Sequence, residues 1–226
     1  MYIKNVDIDL YEIPIDRPAI NFIPPEVFEF RASPSRIVAG LLGPVLLGIG
    51  SGISISAGLG SFGFSVLLDG LHHVTDAPFW ISQVIMTLLF FWIAWRYARI
   101  PLGMGTLPAL LLIGPAISMS ASLTPEALTL TADVATFLIG LFTFALGISL
   151  SAAAALGPDG VTALSLAAEK RWHWPVAQAN FIWNLSAISV GVALGGNLGP
   201  ATVVGLLFTP ILIQCLLPRL RRCMVF

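Results

Sequence analysis

The sequence has few charged residues, and this scarcity limits the kinds of protein it can encode. Asp, Glu, Lys and Arg make up 10% of its 226 residues, whereas they make up about 25% of a soluble domain. So low a fraction excludes a soluble enzyme, a disordered regulator and a secreted disulfide scaffold. The formal net charge of −1 supplies no basic surface for phosphates, so we predict no nucleic-acid partner.

Residues that carry catalysis or bind metals are also scarce. Cys215 and Cys223 have no further ligand at metal-binding spacing, and no HExxH, GxSxG or Walker motif is present. His72 and His73 are adjacent, so their side chains would point about 100° apart on a helix and would not share one ion. The sequence therefore predicts no enzyme activity, no metal and no cofactor.

Long hydrophobic runs are abundant instead. The chain is 57% hydrophobic with a mean hydropathy of +0.90, and a helix needs roughly 20 apolar residues to cross a bilayer. Six runs satisfy this length when the Gly- and Pro-containing segment 195–200 divides the last charge-free stretch. The predicted spans are residues 37–59, 77–95, 101–125 and 133–156, and two within 172–217. We therefore predict an all-α membrane protein with six transmembrane helices.

The basic residues predict how these spans are oriented. With a cytoplasmic N-terminus, all eleven Lys and Arg residues lie on the cytoplasmic side, whereas the outer connections contain Asp69, Asp76 and Glu126. Basic residues in short loops stay on the cytoplasmic side of a membrane. We therefore predict a multi-pass protein of the cytoplasmic membrane with both termini inside, ending in the basic segment 218–226.

An acidic, proline-containing tail, residues 1–36, precedes the first span. It lacks the basic start and early apolar stretch of a cleavable signal, so we expect the first span to be an uncleaved anchor. The alternating residues 6–11 are compatible with a short strand or with a segment that docks on a protein partner. The simpler interpretation is a loosely ordered cytoplasmic tail.

Three short motifs of the first half return in the same order in the second half. The pairs are 52–56 with 147–151, Leu59-Gly60 with Leu156-Gly157, and 102–106 with 198–202. The two repeats, residues 37–121 and 133–217, would each contain three spans, so the second would be inverted relative to the first. Many transporters use inverted repeats, because exchanging the conformations of the halves changes which side is open. The alternative is a duplicated six-helix bundle with no transport role.

Small residues recur every four positions in the first and fourth spans, which places them on one helix face. They are Gly48, Gly52, Ser56 and Gly60 in the first span, and Thr143, Gly147, Ser151 and Ala155 in the fourth. Small faces let helices approach closely in lipid, so we expect them to pack. Alternatively, the two faces meet at the pseudo-two-fold axis and slide. The other gate candidates are Gly63, Gly157 and Gly160, at the two Leu-Gly bends.

Uncharged polar residues inside the spans are the candidates for a substrate path. Gln83 and Thr87 lie one turn apart, and the positions 97 residues later are Asn180 and Asn184. Such side chains are costly in lipid unless they are paired or face a cavity, so they would either line a polar path or join helices by hydrogen bonds. Gln178, Ser54 and Ser149 complete this candidate set.

Two amphipathic stretches, residues 65–74 and 162–168, follow the Leu-Gly motifs and are too short to span a membrane. A helix lying flat at the interface is the commoner explanation, and a re-entrant segment beside a substrate site is the alternative. Asp133, at the outer start of the fourth span, would cap that helix, since a proton-coupling role would need a deeper position.

The Leu-Gly motifs, segment 194–202 and Ile113-Gly114-Pro115 resemble the YczE/YyaS/YitT family of bacterial integral membrane proteins, over about residues 37–217. This resemblance implies a small polytopic protein of the bacterial inner membrane. Where that family often has an acidic pair after Leu-Gly, this chain has Phe64-Ser65 and Val161-Thr162.

These observations lead to two hypotheses from different classes. The first is a permease-like protein that moves a small solute through an inverted-repeat bundle. The alternative is a non-transporting membrane partner or accessory subunit that acts through its N-terminal tail.

Overall fold

The structure is a computed structural model that describes residues 33–99, 103–125, 129–174 and 176–224. All regular secondary structure within these ranges is helical. The helices are α1 (Pro34–Ser56), α2 (Gly63–Thr75), α3 (Phe79–Ala98), α4 (Thr106–Leu123), α5 (Leu130–Ala154), α6 (Gly160–Trp172), α7 (Val176–Ala193) and α8 (Pro200–Met224). Residues 1–32 of the predicted tail, with the predicted docking segment, lie outside the described residues, and α1 begins at Pro34, three residues earlier than the predicted span.

Five helices are long and apolar enough to cross a membrane: α1, α3, α4, α5 and α8. They coincide with five of the six predicted spans, which confirms an all-helical membrane protein. The helix expected as the fifth span, α7, is not among them, and Gln178, Asn180 and Asn184 lie in its first half. The fifth span therefore stays a prediction.

The helices α1 and α5 pack together more extensively than any other pair, and they run antiparallel. Gly43 of α1 lies against Ser151, whereas Gly50 lies against Gly140 and Phe144, nearer the start of α5. A Cβ atom at position 50 would lie 2.7 Å from the Gly140 carbonyl oxygen, so this close approach requires glycine. On the outside of this pair, α4 packs on α1 and α8 packs on α5.

The four-residue face of small residues on α1 meets α4 rather than α5. Gly48 and Gly52 pack on α4, and the Ser56 hydroxyl donates to the Ala121 carbonyl at 3.0 Å. On α5, by contrast, Gly147 does face α1. Residue spacing predicts a close-packing face, but the helix that covers it is decided by tertiary contacts, so the two faces do not meet as a matched pair.

The short helices α2 and α6 are buried, and each packs on a long helix of the other half of the chain. α2 packs on α7, and α6 packs on α3. Val66 and Leu68 of α2, like Ala163 and Ala168 of α6, are 0% exposed. The prediction of interfacial helices is therefore wrong, because protein rather than lipid covers their apolar faces, and amphipathicity does not encode that difference.

Each Leu-Gly bend docks on the start of the last helix of the other half. The Gly105 N–H donates to the Leu156 carbonyl at 2.8 Å, and the Ala201 N–H donates to the Leu59 carbonyl at 3.1 Å. The glycine of each bend has a positive φ angle, 103° at Gly60, which a residue with a Cβ rarely adopts. These reciprocal bonds fix where the two short helices begin.

The Lys and Arg residues of the described ranges lie toward one end of the bundle, together with Glu169. Arg36 at the start of α1 donates to the Ala154 carbonyl at the end of α5, 3.0 Å away. This end, the basic end, also receives the C-termini of α3, α6 and α8. Their basic residues are Arg96, Arg99, Lys170, Arg171, Arg219, Arg221 and Arg222. Asp69, Asp76 and Asp133 lie toward the opposite, acidic end.

Candidate functional site

A cavity of about 300 Å³ lies in the middle of the bundle, between the N-termini of α2 and α6. Its wall contains the first turns of both short helices, residues 62–65 and 159–162. From this cavity α2 runs toward the acidic end and α6 toward the basic end. The cavity is at the lower limit of the size of small-molecule sites in proteins.

Four of the predicted path residues line this cavity, namely Gln83, Thr87, Asn180 and Asn184. On α3 the Nε2 atom of Gln83 donates to Oγ1 of Thr87 at 3.0 Å. On α7 the Nδ2 atom of Asn184 donates to Oδ1 of Asn180 at 2.8 Å. Equivalent positions of the two halves therefore make the same kind of hydrogen bond, one helical turn apart.

Each of these pairs adjoins the N-terminus of a short helix from the other half. A Cβ atom at Gly160 would lie 3.3 Å from Cγ2 of Thr87, and a Cβ atom at Gly63 would lie 2.6 Å from Oδ1 of Asn184. The cavity thus has two equivalent subsites, whose members differ by 97 in residue number. Subsite A consists of Gln83, Thr87, Asp159 and Gly160, and subsite B consists of Asn180, Asn184, Phe62 and Gly63.

The two subsites differ in charge. Asp159 is the N-cap residue of α6, and it is the only charged side chain of the described residues that lines the central cavity. In subsite A the Gln83 side chain is 3% exposed, and its Oε1 atom has no hydrogen-bond partner. The N-cap residue of α2 is Phe62, which has no acceptor, so α2 begins without a side-chain cap.

Aromatic packing closes the cavity toward the acidic end. Phe62 is 4% exposed and stacks on Phe144 with ring centroids 4.0 Å apart. It also packs with Phe137 and Leu141. These two residues precede Phe144 on α5, whose start is at the acidic end, so the aromatic cluster lies between the cavity and that end of the bundle.

A second, smaller cavity of about 90 Å³ lies toward the basic end, where Gly40, Ala155 and Arg221 line it. Asp159 and Thr162 contribute to the walls of both cavities. The central cavity is therefore bounded by an apolar aromatic cluster on one side and by a partition containing a carboxylate on the other.

The remaining sequence candidates lie outside the central cavity. Gln178 is exposed on α7, and the buried Ser149 donates to the carbonyl of Ala145 in its own helix at 2.7 Å. Ser54 is buried near Gly140, where α1 meets α5, and its hydroxyl has no partner. Gly157 and Ser151 also lie away from it, at the second bend and against α1 respectively.

The N-cap of α5 is Thr129 rather than Asp133. The Ala132 N–H donates to the Thr129 hydroxyl at 3.3 Å. Asp133 lies one turn further on, within the first turn of the helix, where its negative charge still favours the positive end of the helix dipole. Thr is itself a favoured N-cap residue, so this signal was present in the sequence.

Two residues with notable positions in the structure are absent from the sequence predictions. Asp159 looks like an ordinary capping residue before a short helix, and only the fold shows that it lines a cavity. Asn197, in the connection between α7 and α8, bonds to α2 and to the connection between α1 and α2 near the acidic end. Its N–H donates to Oδ2 of Asp69 at 2.8 Å, and its Nδ2 atom donates to the Gly58 carbonyl at 3.1 Å.

Apolar helices of spanning length around a cavity with a few polar side chains in a largely apolar wall define a multi-pass membrane protein. The chain matches the family of unknown function DUF6198 over residues 34–218, and it belongs to that family. It is 26% identical, over 160 residues, to an uncharacterized protein of Haemophilus influenzae, with 70% of this chain and 72% of the relative covered. No solved structure matches the chain.

Proposed function

We propose that the protein is a permease-like transporter that carries a small solute across a bacterial inner membrane, through the central cavity. The observation that supports this most strongly is the arrangement of α2 and α6, two short helices whose N-termini face one central cavity that also contains Gln83, Thr87, Asn180 and Asn184. Interrupted helices that end at a central site are typical of secondary transporters, because helix ends offer unbonded backbone groups to a solute.

The proposal includes six spans in two inverted repeats, with α7 as the fifth span and α8 as the sixth. Both halves follow the order long, short, long, long, as α1–α4 and as α5–α8. The antiparallel contact of α1 with α5 and the reciprocal docking of the Leu-Gly bends support a pseudo-two-fold relation. The resemblance to the YczE/YyaS/YitT family rests on the same bends, and we retain it as part of the proposal.

The proposal also assigns the two ends. Basic residues are retained on the cytoplasmic side, so we assign the basic end to the cytoplasm. The aromatic cluster around Phe62 would then close the cavity from outside, and the partition at Asp159 would close it from inside. Because inverted halves can exchange conformations, opening one of these barriers while the other stays closed would move a bound solute across the membrane.

Uptake into proteoliposomes tests the proposal. The full-length protein is reconstituted, and uptake of small neutral, zwitterionic, cationic and anionic solutes is measured against protein-free vesicles. Asn184→Leu removes a carboxamide from subsite B and is expected to lower uptake of the transported class by about tenfold or more. Gln178→Leu is the matched control, since it removes an exposed carboxamide of the same helix and should leave uptake unchanged.

Two results would contradict the proposal. One is the same uptake in the wild type and in Asn184→Leu. The other is loss of activity on deletion of residues 1–30 while the bundle stays folded and still binds solute, which would favour an accessory subunit acting through its tail.

A further inference from the structure

We infer that the transported solute is a small zwitterion with an apolar body, whose amine binds at subsite A and whose carboxylate binds at subsite B. The inference rests on the proposed function and adds the chemical class of the substrate. The two subsites occupy equivalent positions of the repeat but offer different chemical groups to a solute.

Subsite A offers hydrogen-bond acceptors. The Oε1 atom of Gln83 is buried without a partner, an arrangement that is unfavourable unless a ligand supplies a donor. The carboxyl group of Asp159, the N-cap residue of α6, lines the same cavity, and α6 begins directly after it at Gly160, next to Thr87. A protonated amine supplies three N–H donors and the positive charge that would balance Asp159.

Subsite B offers hydrogen-bond donors. The first backbone bond of α2 runs from the Val66 N–H to the Phe62 carbonyl at 2.9 Å, so the N–H groups of residues 63–65 have no intrahelical acceptor. No side chain caps them. The unbonded N-terminus of a helix favours an anion such as a carboxylate. The corresponding end of α6 is preceded by the carboxyl group of Asp159, whereas α2 is preceded by Phe62, so the two helix ends differ chemically.

The rest of the wall restricts the solute further. Phe64, Phe90, Phe181 and Ile213 give it a largely apolar lining, which suits a hydrocarbon side chain. Among the described residues no cation lines the central cavity, so a simple anion would share it with the Asp159 carboxyl group and have no positive partner. A simple amine would leave the N-terminus of α2 without a partner. A volume of about 300 Å³ equals that of about ten waters, which suits a molecule the size of an amino acid.

Three probes with the same branched hydrocarbon body test the inference on the purified full-length protein. They are leucine, 3-methylbutylamine, which lacks the carboxylate, and 4-methylpentanoate, which lacks the amine. In isothermal titration, leucine is expected to bind about tenfold or more tightly than either of the others. Tighter or equal binding of 4-methylpentanoate would overturn the inference, and so would the absence of saturable leucine binding.

Substitutions test the contribution of each subsite to leucine binding separately. Asp159→Asn is expected to raise the Kd for leucine by about tenfold or more. In Gly63→Ala the new Cβ would crowd Asn184 at subsite B, so leucine should lose its advantage over 3-methylbutylamine. Asp133→Asn makes the same charge change outside the cavity and should leave leucine binding unchanged. Unchanged leucine binding in Asp159→Asn would overturn the inference, and if that variant does not fold, the probe series on the wild type decides.

Failure of this inference is distinguishable from failure of the transporter proposal. If vesicles take up a solute of another charge class, and Asn184→Leu abolishes that uptake, transport is supported and the zwitterion assignment is wrong. If leucine binds in the expected order but no solute is taken up, the site is supported and the transport proposal is wrong.

Discussion

Gln83 is bonded at only one end of its carboxamide. Its Nε2 atom donates to Thr87, whereas its Oε1 atom has no partner although the side chain is buried. In the equivalent pair on α7, Asn180 accepts a hydrogen bond from Asn184. A buried acceptor without a partner costs about 1–3 kcal/mol. Gln83 therefore adds little to the stability of the fold and is better suited to binding a ligand.

Gln83→Leu should therefore separate stability from binding. The substitution removes the unbonded acceptor, but it also leaves the buried Thr87 hydroxyl without its partner. The two effects oppose each other, so the free energy of unfolding is expected to change by less than about 1 kcal/mol. Solute uptake should fall. Thermal unfolding in detergent measures the first effect and the vesicle assay the second. A clear drop in melting temperature would show that Gln83 serves the fold rather than the site.

The polar residues of the cavity could be predicted from the sequence because a carboxamide within an apolar run is conspicuous and costly in lipid. Asp159 could not, since a carboxylate before a short helix has the same local pattern whether it faces water, lipid or a cavity. Ser54 and Ser149 were predicted on the same grounds as Asn184, but they lie outside the cavity. A serine can satisfy its hydroxyl within its own helix, as Ser149 does, whereas the Ser54 hydroxyl is buried where α1 meets α5 and has no partner.

Among the helices, the docking of the two bends is nearly symmetric but differs in one hydrogen bond. At the start of α4, the Thr106 hydroxyl accepts from the Gly103 N–H at 3.2 Å and donates to the Pro158 carbonyl at 3.1 Å. At the start of α8, Thr202 accepts from the Gly199 N–H at 3.4 Å. Only the first threonine ties its helix to the bend of the other half by a side-chain bond within the described residues.

This difference predicts unequal costs for the same substitution. Thr106→Val should lower the free energy of unfolding by about 1–3 kcal/mol, because the Pro158 carbonyl loses its donor in a buried setting. Thr202→Val removes only a local bond, so it should cost less. Thermal unfolding of both variants in the same detergent makes the comparison, and an equal or larger loss in Thr202→Val would contradict it.

Helix positions were predictable from the sequence, but helix neighbours were not. Charge-free runs and the segment 195–200 located the long helices, since both features follow from the requirements of a bilayer. The amphipathic stretches were correctly predicted to be short and distinct. Their location inside the bundle, against α7 and α3, is compatible with the re-entrant alternative and not with the favoured interfacial one. The sequence could not decide between them, because a periodic pattern shows which residues are apolar and not what covers them.

At the scale of the whole molecule, the Lys and Arg residues of the described ranges lie toward one end of the bundle. Asp69, Asp76 and Asp133 lie toward the other end. Cys223 is exposed in α8, close to Arg221 and Arg222. It therefore reports which side of the membrane receives the basic end.

The orientation predicts one-sided labelling of Cys223. In a Cys215→Ser background, a membrane-impermeant maleimide should react with Cys223 in inside-out vesicles and not in intact cells, because basic segments stay in the cytoplasm. The wild-type chain after membrane disruption is the positive control. Reaction in intact cells would reverse the orientation and exchange the roles assigned to the two barriers.

The central claim is that the cavity between α2 and α6 opens to each side of the membrane in turn. Ser65 lines it and is 3% exposed, whereas Ser149 is 0% exposed and lies outside it. In a background lacking both native cysteines, an impermeant thiol reagent applied separately from each side should label Ser65→Cys from both, and Ser149→Cys from neither. Labelling of Ser65→Cys from one side alone, or from neither, would contradict the account.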